Sequence, residues 1–429
     1  MTADGSLAIV TLGVGVFATL VAIRRLGGLV NPAAVFLAAW TTSLALYALR
    51  LLPYPALGPE TVALIGGSAF AFVGGVWLGG HGAWRDTAAD AGRWFRHLHD
   101  LMDRRVVSLL LVGLLILGLT ATTLYVVAVA RELGILAFAL DLASVRVARG
   151  HLRYPGALTW GAALYIWLLA AGAGSAYRLP RWTYVLAVTA LIPFTLTTGR
   201  TELFFVAISG VVGFLLRQGE RPRVTPRQVL AVGGIGVFLL AAFLGLSELM
   251  MKSGRYLALD LGFPAPLASL ADPYIYASGA IPALDWLVHD VARALDLTGP
   301  LSFWPAHRAL YALDLGLPPA DWVSAFIEIP FRFNTYTFLE PYLREYGFAG
   351  CFLATFLLGL AGGWLHRVAL VGACPPARIP YAILAFAIAL SPMVNHFSQL
   401  VVPMLIVIVT VLTWTAATAS RLVRDRGAS

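Results

Sequence analysis

The run Leu109–Thr120, "LLLVGLLILGLT", is apolar on every face that a helix or strand could present, and that property decides the fold. A strand crossing a bilayer alternates lipid-facing and inward-facing residues, which this run does not do. Backbone buried in hydrocarbon must satisfy its own hydrogen bonds, so the run is predicted to be helical. Working outward, roughly eleven such stretches fall near the ~20 residues needed to cross a bilayer core. They lie at about 6–23, 30–49, 61–79, 107–128, 156–176, 182–198, 202–217, 228–249, 347–365, 379–392 and 400–418. Hydrophobic residues make up 59% of the chain and charged residues 12%, with a mean hydropathy of +0.81. A water-soluble domain of this length could not hide that much apolar surface. The expected class is an all-α, polytopic membrane bundle with a long outer loop containing interfacial helices.

Three regions follow from the spacing of the spans: an N-terminal bundle over 1–250, a loop over 251–346, and closing spans with a cytoplasmic tail over 347–429. Orientation comes from arginine placement, because short basic loops resist translocation. With the N-terminus periplasmic, about eighteen of the 30 Lys and Arg residues fall on the cytoplasmic side, against about six of the 22 Asp and Glu. The C-terminus is then cytoplasmic. The formal charge of +8 is mostly this topological bias, and no nucleic-acid partner is read from it. The first stretch lacks a basic leader and a small-residue cleavage signal, so it is expected to stay as a membrane helix. Cys351 and Cys374 lie near opposite ends of one segment and are not expected to pair. "HLHD", with His97, His99 and Asp100, reads as an amphipathic loop helix rather than a metal site. No D-x-D pair is present, and neither metal nor cofactor is expected.

Three polar features fall on the outer side. In "RELGILAFALDLASVRVARGHLRY" (131–154), Arg146, Arg149 and Arg153 stand at i, i+3 and i+7, one face of a helix. Three guanidiniums in a stripe can clamp a phosphate or pyrophosphate, or can snorkel to lipid headgroups. In "TLTTGRTELFF" (195–205), Arg200 and Glu202 occupy a turn too short to leave the membrane edge, where charge is costly unless it has partners. The third feature is the excursion from Met251 to Tyr346, far longer than an ordinary connection. Its segment "AIPALDWLVHDVARAL" sets Ile281, Leu284, Val288, Val291 and Leu295 on one stripe, predicting a helix that lies on the outer leaflet or caps the bundle. Tyr274, Tyr336 and the other loop aromatics suit either a membrane interface or the apolar faces of sugar rings. The loop's carboxylates, Asp272 and Glu340 among them, can accept a hydroxyl proton where their pKa allows.

The stretch "FRFNTYTFLEPYLREYGFAGCF" (Phe331–Phe352) resembles the N-x-Y-T, P-Y-Y, D-x-G, G signature of bacterial oligosaccharide repeat unit polymerases of the O-antigen type. Asn334, Tyr336, Thr337, Pro341, Tyr342, Glu345, Gly347 and Gly350 stand on that pattern, with Glu345 in place of the usual Asp. "TTGRTELFF" is similar to the family's Gly/Ser-Arg turn. The segment also resembles the H-N-x-x-L, E-x-G, G stretch of O-antigen ligases, except that Phe333 occupies the histidine position. The resemblance implies a metal-independent glycosyltransferase in the bacterial inner membrane that joins undecaprenyl-pyrophosphate-linked oligosaccharides on the periplasmic face. A flippase and a chain-length regulator of the same pathway would be its partners. Under that reading Arg200 leads the residues expected to stabilise the departing pyrophosphate, followed by Arg146 and Arg149, with Arg255 and Arg344 as further donors. Glu345, Glu340, Asp272 or His396, in "SPMVNHFSQL" (391–400), would orient or deprotonate the acceptor hydroxyl. Local chemistry gives the same stretch ordinary structural roles: Asn334 as a helix cap, Glu340 and Arg344 as an i,i+4 pair, Pro341 as a helix start and Gly347 as a stop. A transporter of lipid-linked sugar is the competing class, but neither mid-membrane charges nor inverted repeats are visible.

Overall fold

In the computed structural model, the described residues are 3–26, 28–137, 201–217, 255–290, 299–316, 326–397 and 401–427, with scattered positions between 226 and 245. The chain is mostly helical. Its helices are α1 (Ala3–Leu26), α2 (Pro32–Ala48), α3 (Pro59–Gly79), α4 (Gly82–Leu101), α5 (Arg104–Leu133), α6 (Thr201–Leu216), α7 (Arg255–Asp260), α8 (Ala271–Ser278), α9 (Ala280–Asp290), α10 (Trp304–Ala312), α11 (Glu340–Gly372), α12 (Pro375–Leu390) and α13 (Val401–Gly427). A 3-10 turn, Ala265–Leu270, precedes α8. Among the described residues, three helices are long and apolar enough to cross a membrane: Pro59–Gly79, Glu340–Gly372 and Val402–Asp425. Pro32–Ala48, Ala207–Leu216 and Pro375–Leu390 are shorter apolar helices. The predicted stretches at 156–176 and 182–198 lie outside the described residues.

A small hairpin interrupts the all-α expectation. Strands β1 (Ile327–Glu328) and β2 (Arg332–Phe333) pair antiparallel, with Ile327 opposite Phe333 and Glu328 opposite Arg332. Ile327, Ile329, Phe331 and Phe333 are buried while Glu328 and Arg332 face out, the period-two alternation of a half-buried ribbon.

The chain folds as two compact units, each assembled from three segments. The first takes Met1–Arg85, Gly254–His366 and Ala387–Pro403. Its centre is a ring cluster in which Phe36 stacks on Phe72 at 4.2 Å and meets Phe338 edge-on at 6.0 Å. Asn31 starts α2 by accepting from Ala33 N at 2.9 Å, with Pro32 supplying a pre-set first helical position. Helices α3 and α11 touch backbone to backbone. A Cβ on Gly75 would sit 2.1 Å from Phe356 O, and one on Gly359 would sit 2.2 Å from Phe72 O.

The second unit takes Asp86–Ser253, Arg367–Phe386 and Met404–Ser429. Within it α4 buries Ala88, Gly92, Phe95 and Leu98, one face of an amphipathic helix. Arg96 on α4 donates from Nε to Gly372 O at 3.0 Å and from its terminal nitrogen to Val371 O. A cation thus completes the C-terminal end of α11, where carbonyls lack helical partners. Asp103 caps α5 through Arg105 N at 2.7 Å and donates its own amide to Ser420 Oγ at 2.7 Å. Both cysteines are buried free thiols.

The excursion's helix α9 packs its apolar stripe into protein over its described length, and Val291 and Leu295 lie outside the described residues. Ile281, Ala283, Leu284, Leu287 and Val288 are all buried, and the helix packs against α2, α3 and α8. Small residues at Ala280 and Ala283 let it seat closely, so it caps this unit's helices.

Candidate functional site

The segment carrying the motif residues is built around Phe338. Asn334–Thr337 forms an irregular link from β2 into α11. The cap expected at Asn334 is supplied instead by Thr337, whose Oγ1 accepts from Leu339 N at 3.3 Å, because Thr337 stands next to the helix start and Asn334 does not. Phe338 then drives inward, with Trp40 at 6.1 Å, Tyr342 at 6.3 Å and Phe397 at 5.6 Å around its ring. Its amide donates to Ser391 O at 2.9 Å, while Ser391 Oγ accepts from Trp40 Nε1 at 3.0 Å. Asn395 tightens the same turn by accepting from Phe397 N at 2.9 Å. The motif segment and the turn holding the buried His396 are therefore joined at one place on α2.

At the start of α11, Glu340 Oε1 accepts from Arg344 Nε at 3.1 Å, the i,i+4 pair that the spacing implies. The two side chains are 13% and 25% exposed, so both are accessible yet shielded. Arg344 lies over the Tyr336 ring at 5.7 Å. Burial pushes the Tyr336 hydroxyl up to about 12, Glu340 adds to the rise and Arg344 opposes it. Tyr336 is thus a hydroxyl donor at neutral pH, beside one cation and one carboxylate. Gly347 sits at φ 65° and ψ −159°, where the first turns of α11 meet its long apolar run, as expected of a glycine stop.

Glu345 is committed to the fold. Its carboxylate accepts from Leu301 N at 2.5 Å and from Ser302 N at 2.9 Å, binding the strand of loop before α10. Both oxygens are engaged, which suits an anchor better than a base. Glu345→Ala strands two amides, and hydrogen bonds to a charged group contribute about 1.5–3 kcal/mol. Faster hydrogen exchange at Leu301 and Ser302, with α11 exchange unchanged, is the expected result.

Tyr274 belongs to an aromatic joint. Its hydroxyl accepts from Leu51 N at 3.1 Å, and its ring stacks on Tyr54 at 6.3 Å and meets Phe263 at 5.4 Å. Ser278 Oγ donates to Tyr274 O at 2.7 Å, and burial raises both the Tyr54 and Tyr274 hydroxyls. Tyr274, Tyr336 and Tyr342 are all buried in protein, so they serve neither an interface belt nor an open sugar platform. Asp272 is buried in the first turn of α8. Arg255 begins α7, and its side chain lies outside the described residues, as do Arg146, Arg149, Arg153 and Arg200.

Two groups were not singled out by sequence reasoning. Arg50, at the end of α2, holds a left-handed backbone at φ 52° and packs its guanidinium over Tyr47 at 5.3 Å while donating to Tyr54 O. His289, 41% exposed, places Nε2 3.0 Å from Glu60 Oε2 and Nδ1 2.7 Å from the Asp285 carbonyl. Asp285 Oδ1 in turn accepts from Gly58 N at 2.8 Å, at the start of α3. Both ring nitrogens face acceptors, which favours the imidazolium. The Asp285 carbonyl first, then the Asp285 and Glu60 carboxylates, raise His289 above its ordinary 6.5. A raised pKa contributes stability that is complete below 6.5 and disappears as pH climbs through the folded-state value. His289→Gln should therefore lower the melting temperature slightly in mild acid and leave it unchanged in alkali.

Among the described residues, no group of three or more His, Cys, Asp or Glu is placed to hold a metal ion. Comparison with protein-family models, with curated proteins and with solved structures finds no match to this chain.

Proposed function

We propose that the protein is a membrane glycosyltransferase that polymerises undecaprenyl-pyrophosphate-linked oligosaccharide units on the periplasmic face of a bacterial inner membrane. In this reading the chain crosses the membrane about eleven times, with the N-terminus periplasmic and the C-terminus cytoplasmic. The observation that carries it is the grouping of Tyr336, Glu340 and Arg344 as one shielded polar cluster in the polymerase-like segment, whose Phe338 amide bonds to the turn that holds His396.

An acceptor sugar hydroxyl attacks the anomeric carbon of the donor glycan, a new C–O bond forms, and the bond to the lipid pyrophosphate breaks. The hydroxyl proton passes to a base and the electron pair leaves on the pyrophosphate oxygen. Guanidiniums fixed beside that oxygen stabilise the growing charge. Arg344 fits this role because it is held by Glu340 and Tyr336, and the sequence offers Arg200, Arg146, Arg149 and Arg153 as further candidate donors. Glu340, held in place by Arg344, orients the hydroxyl. His396 is the better proton acceptor by chemistry. Cells lacking the protein should accumulate glycan one repeat unit long, and long chains of unchanged length would refute the proposal.

A further inference from the structure

Helix α10 and its exit turn are ordered, apolar and uncovered. The helix closes through a double C-terminal turn: Leu315 N donates to Leu310 O at 2.9 Å and Asp314 N to Tyr311 O at 3.1 Å, with Asp314 at φ 56°. That pattern fixes the backbone without help from a partner. Yet Phe303, Leu310, Tyr311, Leu313 and Leu315 all face outward, Leu313 at 67% and Leu315 at 71% exposure. Water is a poor solvent for such side chains, and several of them exposed on one short helix and its exit turn mark an interaction face.

The height of this segment is set by Glu345. Glu345 stands two residues before Gly347, where the apolar run of α11 begins, and its carboxylate grips Leu301 and Ser302. Two residues span about 3 Å as helix and no more than about 7 Å even if extended. The headgroup zone flanking the ~30 Å hydrocarbon core is itself about 5–8 Å deep on each side. From Gly347 onward α11 carries outward-facing apolar residues such as Leu353 and Leu357, the surface of a span. The start of α10 is thereby tied to the level at which that span leaves the hydrocarbon. Arg308, exposed on the same helix, offers a cation of the kind that pairs with lipid phosphates.

We infer that α10 and its exit turn, residues 303–316, form an interfacial foot that seats in the phospholipid headgroup and upper acyl region of the leaflet where the N-terminal end of α11 emerges. The occupant of the apolar face is bulk phospholipid. This does not depend on glycosyl transfer, and it assigns Glu345 the task of holding the foot at the membrane level.

Leu310→Cys, Leu313→Cys and Leu315→Cys, each in the full chain and labelled with a polarity-sensitive fluorophore, test the inference. The protein is placed in vesicles of phosphatidylethanolamine and phosphatidylglycerol, with the wild type, whose two cysteines are buried, as the labelling blank. Quenching by lipid carrying a nitroxide near the headgroup should exceed quenching by aqueous iodide several-fold at all three positions. Glu345→Ala should reverse that ratio, while Glu345→Gln, which keeps one acceptor oxygen, should reverse it only partly. Strong iodide quenching in the otherwise unaltered protein would overturn the inference. So would labels shielded from both quenchers, which would mean a protein cover, or shielding that develops only after a polyprenyl pyrophosphate is added, which would mean the substrate's tail.

Discussion

Gly75→Ala is expected to destabilise the protein by about 1–3 kcal/mol, the range for overpacking a tight core, and Gly75→Leu by more. The cause is reciprocal contact between two glycine pairs spaced i and i+4, Gly75 and Gly79 on α3 with Gly359 and Gly363 on α11. A Cβ at Gly79 would lie 2.3 Å from Leu360 O, and one at Gly363 would lie 2.3 Å from Val76 O, matching the approaches at Gly75 and Gly359. Each obstacle is a backbone carbonyl, which cannot rotate away as a side chain could. The helices must separate, and in lipid the close packing being lost is the main source of their association. The adjacent residue provides the control. Gly74 has nothing within 4 Å of its would-be Cβ, so Gly74→Ala should be neutral or stabilising by up to about 1 kcal/mol through helix propensity. Thermal unfolding in detergent distinguishes the neighbours, and equal melting temperatures for the two alanine variants would contradict the α3–α11 contact.

Arg200→Ala and Arg344→Ala are each expected to cut the polymerisation rate by about a hundredfold, the effect of losing one preorganised donor to a developing oxyanion. The loss should appear in kcat rather than KM if the guanidinium meets charge that exists only as the pyrophosphate departs. Lysine at either position should restore part of the rate, because it keeps the charge but not the paired donors. For Arg344 a structural role predicts something different: Glu340 would lose its partner, and the melting temperature would fall with the rate. Equal kcat with altered stability would remove Arg344 from the chemistry and leave it as a positioning residue for Tyr336.

Much of the helical architecture was legible because apolar length is a strong signal: the stretches near 30–49, 61–79, 107–128 and 379–392 emerge as α2, α3, α5 and α12 within a few residues. The Glu340–Arg344 pair and the Gly347 stop were also readable, since both depend on spacing within one helix. Contacts between distant segments were not. The i,i+4 glycines of α3 and α11 stood in the sequence, but their pairing exists only once those helices cross. The alternation in Ile327–Phe333 was a visible strand signal, masked by its short length and by Pro330. Glu345 looked like a free carboxylate because its partners, Leu301 and Ser302, lie more than forty residues earlier and offer only backbone amides. His289 carries no signal in its own helix, because Glu60, which pairs with it, arrives from another element.

The central claim is that this chain makes glycosidic bonds between lipid-linked oligosaccharides, and the direct measurement is a reaction of the purified protein in vesicles with one synthetic undecaprenyl-pyrophosphate repeat unit. Products separated by size should form a ladder of successive units, with released polyprenyl pyrophosphate rising in step, and Arg200→Ala should suppress both. Substrate that stays one unit long, whether unmoved or merely carried to the opposite leaflet, would contradict the claim.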